Sequence, residues 1–243
     1  MPAALAALLF AAGLRTPLLA LLALRRIKNL ALVLLPYGAG LAVVSLVGPS
    51  LGDADRIGLL AVATAPALLA APALAGAVGG RMDRAGALLA GSIGAWLVLT
   101  LARGTDAAGA AQAAMLPFVV GAGIASAVPM LPELVRTAVQ RVGDVAFLVL
   151  AAVAASGAGG LDPSNGIAAF ALFVAIAGTA AIVARLSGVD LASAFAGAGS
   201  RDPAVATALS VALGGATAIP LYSGILLLAA SAILALRNRR KAR

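Results

Sequence analysis

Nine apolar runs, separated by short stretches that carry the charges and turn residues, make up almost the whole chain. They cover about residues 3–14, 30–47, 57–78, 85–102, 107–131, 145–159, 167–184, 191–213 and 219–236. A membrane-crossing helix needs about 20 apolar residues. A soluble domain is typically about half apolar and a quarter charged, whereas this chain is 63% hydrophobic and 11% charged. Its mean hydropathy is +1.09. The runs are continuous and rich in Ala and Leu rather than alternating, which points to helices and not to a β-barrel. The expected architecture is an all-α integral membrane protein of about nine transmembrane helices, forming a single domain over residues 1–243.

The connecting segments "RRIKN", "GPSLGDADR", "GGRMDR", "RGTD", "GLDPSN" and "RLSGVD" leave no room for a soluble domain. Their basic residues sort by side. Arg15, Arg25, Arg26, Lys28, Arg81, Arg84, Arg136, Arg141, Arg185 and the tail "RNRRKAR" fall on one side, and only Arg56 and Arg103 on the other. The positive-inside rule makes the first side cytoplasmic. The C-terminus is then cytoplasmic and the N-terminus outside, in a cell inner (plasma) membrane. This accounts for the formal charge of +8 without a nucleic-acid partner; the lipid bilayer is the expected surrounding. The start, "MPAALAALLFAAGLRT", has no basic region ahead of its apolar stretch and does not read as a cleavable signal. It reads as a short first helix, which continues to Leu24 if it kinks at Pro17.

Two runs are interrupted in a related way. The third holds Pro66 and Pro72, and the eighth holds Arg201, Asp202 and Pro203 after Gly197 and Gly199. They lie five runs apart, as expected if residues 1–104 and 105–243 are two inverted five-helix repeats and the first lacks one helix. Broken helices at matching positions of two repeats mark a transporter's binding site. Arg201 falls near mid-membrane, where an exposed arginine costs on the order of 3 kcal/mol or more. Asp is a favoured helix N-cap and Pro a favoured first residue, so "DPAVATALS" reads as a second half-helix beginning at Asp202. That leaves "GSR" as an extended link, with Arg201 facing freed carbonyls, Asp202 or an anionic substrate. Ser200, Thr64 and Ser193, hydroxyl residues of the interrupted runs, complete the candidate substrate-binding set.

Enzyme chemistry is not expected. The chain has no Cys and no His, so thiolate, zinc and imidazole chemistry are excluded. No zinc-protease, nucleophile-elbow or phosphate-loop motif occurs. Asp53 and Asp55 are close in sequence but lie in a short polar connection, where solvation explains them. Trp96 and Tyr222 read as packing or interface residues.

Three stretches resemble the bile acid:sodium symporter family: "LLFAAGLRTP", "LLAVATAPALLAAPALAGAVGGRMDRAGAL" and "GAGSRDPAVATALSVALGGATAIPLYSGILLLAASAILA". Their order and spacing match the family's first core-helix end, its two broken helices and its final helix. The resemblance implies an inverted-repeat secondary transporter that moves a small organic anion by alternating access. It implies ten helices as two five-helix repeats, of which this chain lacks the first helix. It also implies sodium as the coupling ion, and no other cofactor. The family's polar pair after the first break falls on Ala71 and Pro72, its Glu before the second break near Gly197, and its Gln-Asn on Arg201 and Asp202. Ala, Gly and Arg side chains supply no oxygen ligand, which argues against sodium coupling and for an uncoupled or proton-linked carrier. A non-transporting membrane subunit is the alternative from another class. The sequence carries no signal for oligomeric state.

Overall fold

The computed structural model describes residues 2–14, 27–101, 105–128, 133–157 and 162–241. Its regular elements are all helical, and no strand occurs among the described residues. The helices are α1 (Pro2–Leu14), α2 (Ile27–Val47), α3 (Asp53–Thr64), α4 (Ala71–Ala77), α5 (Met82–Leu101), α6 (Thr105–Ala127), α7 (Glu133–Ser156), α8 (Pro163–Ser187), α9 (Leu191–Ala194), α10 (Pro203–Ala212) and α11 (Ala218–Lys241). The continuation of the first helix to Leu24 lies outside the described residues, as do Arg15, Arg25, Arg26 and Arg103.

Local chemistry sets many of the boundaries. Asp162 caps α8 by accepting from Ser164 N at 2.9 Å, with Pro163 behind it, and Gly188 closes the helix at φ 67°. This is the Asp–Pro start and left-handed glycine stop that helix termini favour. The sixth apolar run differs from the expected span: α7 begins at Glu133, well before residue 145. The polar stretch "ELVRTAVQRVGD" contains no proline and spaces its Leu and Val residues for one face, so the helix runs through it.

Three stretches, Lys28–Ser50, Pro163–Ser187 and Ala218–Asn238, are long and apolar enough to cross a membrane. Their outward faces carry large apolar side chains: Leu34, Leu46, Ile167, Ile182, Leu228 and Ile233 are all exposed. A soluble protein rarely exposes so many large apolar side chains on long helices, whereas a lipid-facing surface requires them.

The helices pack as two groups. In the first, α1 lies against α6 and α7. Gly13 on α1 faces the Phe118 carbonyl, and Gly121 on α6 faces the Phe10 carbonyl. A Cβ at either position would collide with backbone, so the two helices cross at glycine contact distance. In the second, α2, α4, α5 and α8 pack around the turn before α10, while α10 itself lies against α3 and α11 and, on its other side, against α7 of the first group. Away from the helix breaks, polar contacts collect at two ends. At one end Arg84 pairs with Asp190, and the Asn238 side chain lies against Gly79. At the other, Asn165 donates to Asp55 at 2.9 Å and Ala216 N to Ala54 O at 2.9 Å.

Candidate functional site

The third and eighth apolar runs are each split, and their breaks meet. In the first, α3 ends at Thr64 and the chain turns extended at Ala65 (φ −56°, ψ 149°). It resumes as α4 at Ala71, with Pro72 in the first turn. In the second, α9 runs into a π-helical turn at Phe195–Gly199, and Ser200 is extended (φ −107°, ψ 156°). Gly197 makes the turn possible: a Cβ there would sit 2.8 Å from both the Ala85 carbonyl oxygen and Leu88 Cβ. Gly199 packs closely on Ala180. The extended link is Ser200–Asp202, one residue later than "GSR".

Asp202 binds both breaks together. Its Oδ1 accepts from Ala204 N at 3.0 Å and Val205 N at 3.1 Å, capping α10. Its Oδ2 accepts from Leu69 N at 2.9 Å, across 133 positions of sequence. Its own N–H donates to the Pro66 carbonyl at 3.0 Å. A buried backbone group without a partner costs about as much as a lost hydrogen bond, and a broken helix frees several. Here one carboxylate satisfies three donors and its backbone satisfies one acceptor. Asp202 is 1% exposed, so water does not substitute for these bonds.

Tyr37 and Ser92 complete the first break. Ser92 Oγ accepts from Ala67 N at 2.7 Å and lies 3.0 Å from Tyr37 Oη. Tyr37 Oη donates to Ser92 O at 2.9 Å, with Ala65 O at 3.2 Å. Each hydroxyl has a single proton. The carbonyls can only accept, so when Tyr37 gives its proton to one of them, the Ser92 hydroxyl is the donor in the contact between the two side chains. Ser92 on α5 and Tyr37 on α2 thus hold the segment between α3 and α4. Pro36 lies inside α2 beside Tyr37.

Arg201 turns away from Asp202. Its Nη1 donates to Ala198 O at 3.2 Å and Ser200 O at 3.3 Å, carbonyls that the break leaves without helical partners. Its guanidinium carbon lies 4.0 Å above the centre of the Tyr37 ring, a cation–π contact. It is 5% exposed and faces a small pocket with Val62, Ile176 and Ser223.

A cavity of about 560 Å³ lies on the other side of the crossing. Ala11 and Ala12 of α1 and Leu148, Ala151 and Ala154 of α7 form one wall, and Pro220, Leu227 and Leu228 of α11 another. The breaks form the rest, through Leu68–Ala70 and Asp202–Ala204 with Thr207. The lining is almost wholly apolar. Asp202 is its only ionisable group among the described residues, and Arg201 is not part of it.

The structure therefore brings together Pro66, Ala71, Pro72, Gly197, Gly199, Ser200, Arg201, Asp202 and Pro203, with Thr64 at the edge. The hydroxyls of the candidate set bond inward: Thr64 Oγ1 donates to Leu60 O at 2.8 Å and Ser200 Oγ to Ala196 O at 2.7 Å. Ser193 is not at the crossing. It sits roughly two turns away, where its Oγ accepts from Arg81 N at 2.7 Å and its N–H donates to Asp190 at 2.7 Å. Burial alone would raise the pKa of Asp190. The Ser193 hydrogen bonds and the Arg84 charge outweigh it and hold the group below the usual carboxylate range. Tyr37 and Ser92 were missed by sequence reasoning. A tyrosine hydroxyl and a serine inside apolar helices are signals in themselves, but nothing in the sequence pairs them. No family model and no curated protein matches the chain.

Proposed function

We propose that this protein is a multi-pass secondary transporter of a small organic solute, working by alternating access. One observation carries the reading: two broken helices are strapped to each other through Asp202, Pro66 and Leu69, beside a half-open apolar cavity. Irregular backbone at membrane depth is tolerated where it is buried in protein or lines a cavity, and paired broken helices surround the solute in inverted-repeat carriers. Nine apolar runs in the sequence, with two breaks five runs apart, are the pattern that two inverted repeats would produce. The resemblance to the bile acid:sodium symporter family points the same way, as does the sorting of arginines for an inner membrane with a cytoplasmic C-terminus.

The mainly apolar lining of the cavity suits a solute of mainly apolar surface. An organic anion held by Arg201 needs that side chain in the cavity wall, and Arg201 lies behind the crossing. The proposal is therefore carried without the anion, which becomes one arm of the test. Sodium coupling is not part of it, because the side chains of Ala71, Gly197 and Arg201 bring no oxygen ligands and the Asp202 carboxylate is committed to three N–H groups. A proton-linked exchanger has one observation in its favour, the presence of Asp202 in the cavity wall. Against it, a proton on Oδ2 would face the Leu69 N–H.

The test is uptake into proteoliposomes of apolar organic anions, neutral solutes and cations, each with and without sodium and proton gradients. Sodium-independent uptake of at least one class is expected, and its loss in an Ala151→Trp variant that fills the cavity from α7. Uptake that rises strongly with sodium overturns the coupling statement. No uptake of any class, with a second protein always co-purifying, favours a non-transporting subunit.

A further inference from the structure

The charge of Arg201 is not balanced within the protein. No carboxylate lies within ion-pair distance of it among the described residues, and the oxygens of Asp202 are taken by Leu69, Ala204 and Val205. Two carbonyls and one aromatic face reach it, but its Nε and Nη2 make no hydrogen bond. Both belong to a side chain that is 5% exposed. Buried charges are ordinarily paired, so this guanidinium has unused donors and an unused charge in one direction.

Arg201 lines a small pocket between α3, α8, the π-helical turn and α11. Val62, Leu172, Phe173 and Ile176 give it an apolar wall, and Ser223 of α11 provides its second polar side chain. Ser223 is 6% exposed. The space amounts to about 10 Å³, close to what one water-sized sphere occupies. A carboxylate, phosphate or sulfate does not fit there.

We infer that this pocket binds a single monatomic anion, a halide, held by the Nε–H and Nη2–H groups of Arg201 and by the Ser223 hydroxyl. All three donate hydrogen bonds to an anion, and a halide supplies the missing negative charge; chloride is somewhat larger than a water-sized sphere and enters with a small outward shift of the apolar wall, which a polyatomic oxyanion exceeds. A water molecule fits the same space but leaves the charge unbalanced. The inference concerns the back of the crossing and does not rest on the transport reading.

The experiment follows the thermal unfolding of the purified protein while chloride or bromide replaces gluconate at constant ionic strength. Binding to the folded state alone raises the midpoint with halide concentration. A saturable rise with chloride and bromide, absent with sulfate, is expected. Arg201→Gln removes the dependence, and Ser223→Ala weakens the apparent affinity about fivefold, as for one lost hydrogen bond. Chloride-35 NMR line broadening by the wild-type protein, relieved by bromide, reads the same site without a variant. A midpoint that is indifferent to halide, or an equal rise in Arg201→Gln, overturns the proposal and leaves water in the pocket.

Discussion

Replacing Asp202 separates the two tasks of its carboxylate. Ala removes the cap bonds to Ala204 and Val205 and the cross-break bond to Leu69. Loss of an N-cap costs about 0.5–2 kcal/mol, and a buried N–H left without a partner costs about 1–3 kcal/mol. The Leu69 N–H becomes such a group, so Asp202→Ala should lose about 1.5–5 kcal/mol in all. Asn is as good an N-cap as Asp, so Asp202→Asn retains the cap through its amide oxygen. Its amide nitrogen then faces the Leu69 N–H, donor against donor, and the expected loss is about 1–3 kcal/mol. Equilibrium unfolding in mixed micelles by SDS titration measures both variants against wild type. The order wild type, Asn, Ala is required. An Asp202→Asn protein within about 0.5 kcal/mol of wild type, the size of an ordinary surface effect, refutes the cross-break bond. Equal losses for Asn and Ala refute the cap.

Tyr37→Phe keeps the ring beneath Arg201 but removes the hydroxyl that Ser92 needs as an acceptor, and should lose about 1–3 kcal/mol in the same titration. Tyr37→Leu should lose more, since the cation–π contact goes as well; equal losses would show that the ring contact contributes nothing. Asp190 gives a pH effect of known sign. Its pKa is lower folded than unfolded, so its contribution is present above the unfolded value of about 3.9. It is lost as pH falls through the folded value. The stability difference between wild type and Asp190→Asn should therefore shrink in acid, and a difference that stays constant below about pH 4 contradicts the assignment.

The helices and their interruptions were legible because their causes are local. A run of apolar residues forces the backbone to bond within its own helix, and Pro66, Pro72 and Pro203 each remove a donor wherever they stand. Asp202 with Pro203 announces a helix start through bonds that reach only two and three residues ahead. The extent of α7 was less legible, because a polar amphipathic stretch such as 133–144 carries no apolar run to mark it.

The rest came from tertiary structure. That Asp202 Oδ2 would meet Leu69 N, or that Ser92 would take Ala67 N, depends on how helices distant in sequence cross. Ser193 shares a run with Arg201 but serves Arg81 at one end of the molecule, and no spacing rule separates those two roles. Arg201 shows the division most clearly. From sequence alone it is an expensive charge beside a break, with three directions open to it. Only the placement of Tyr37 under its guanidinium, with Ala198 and Ser200 presenting their carbonyls, turns it from the large cavity towards the small pocket. Local bonding determines where a helix ends, whereas the direction of a buried charge is decided by whichever distant groups the packing brings to it.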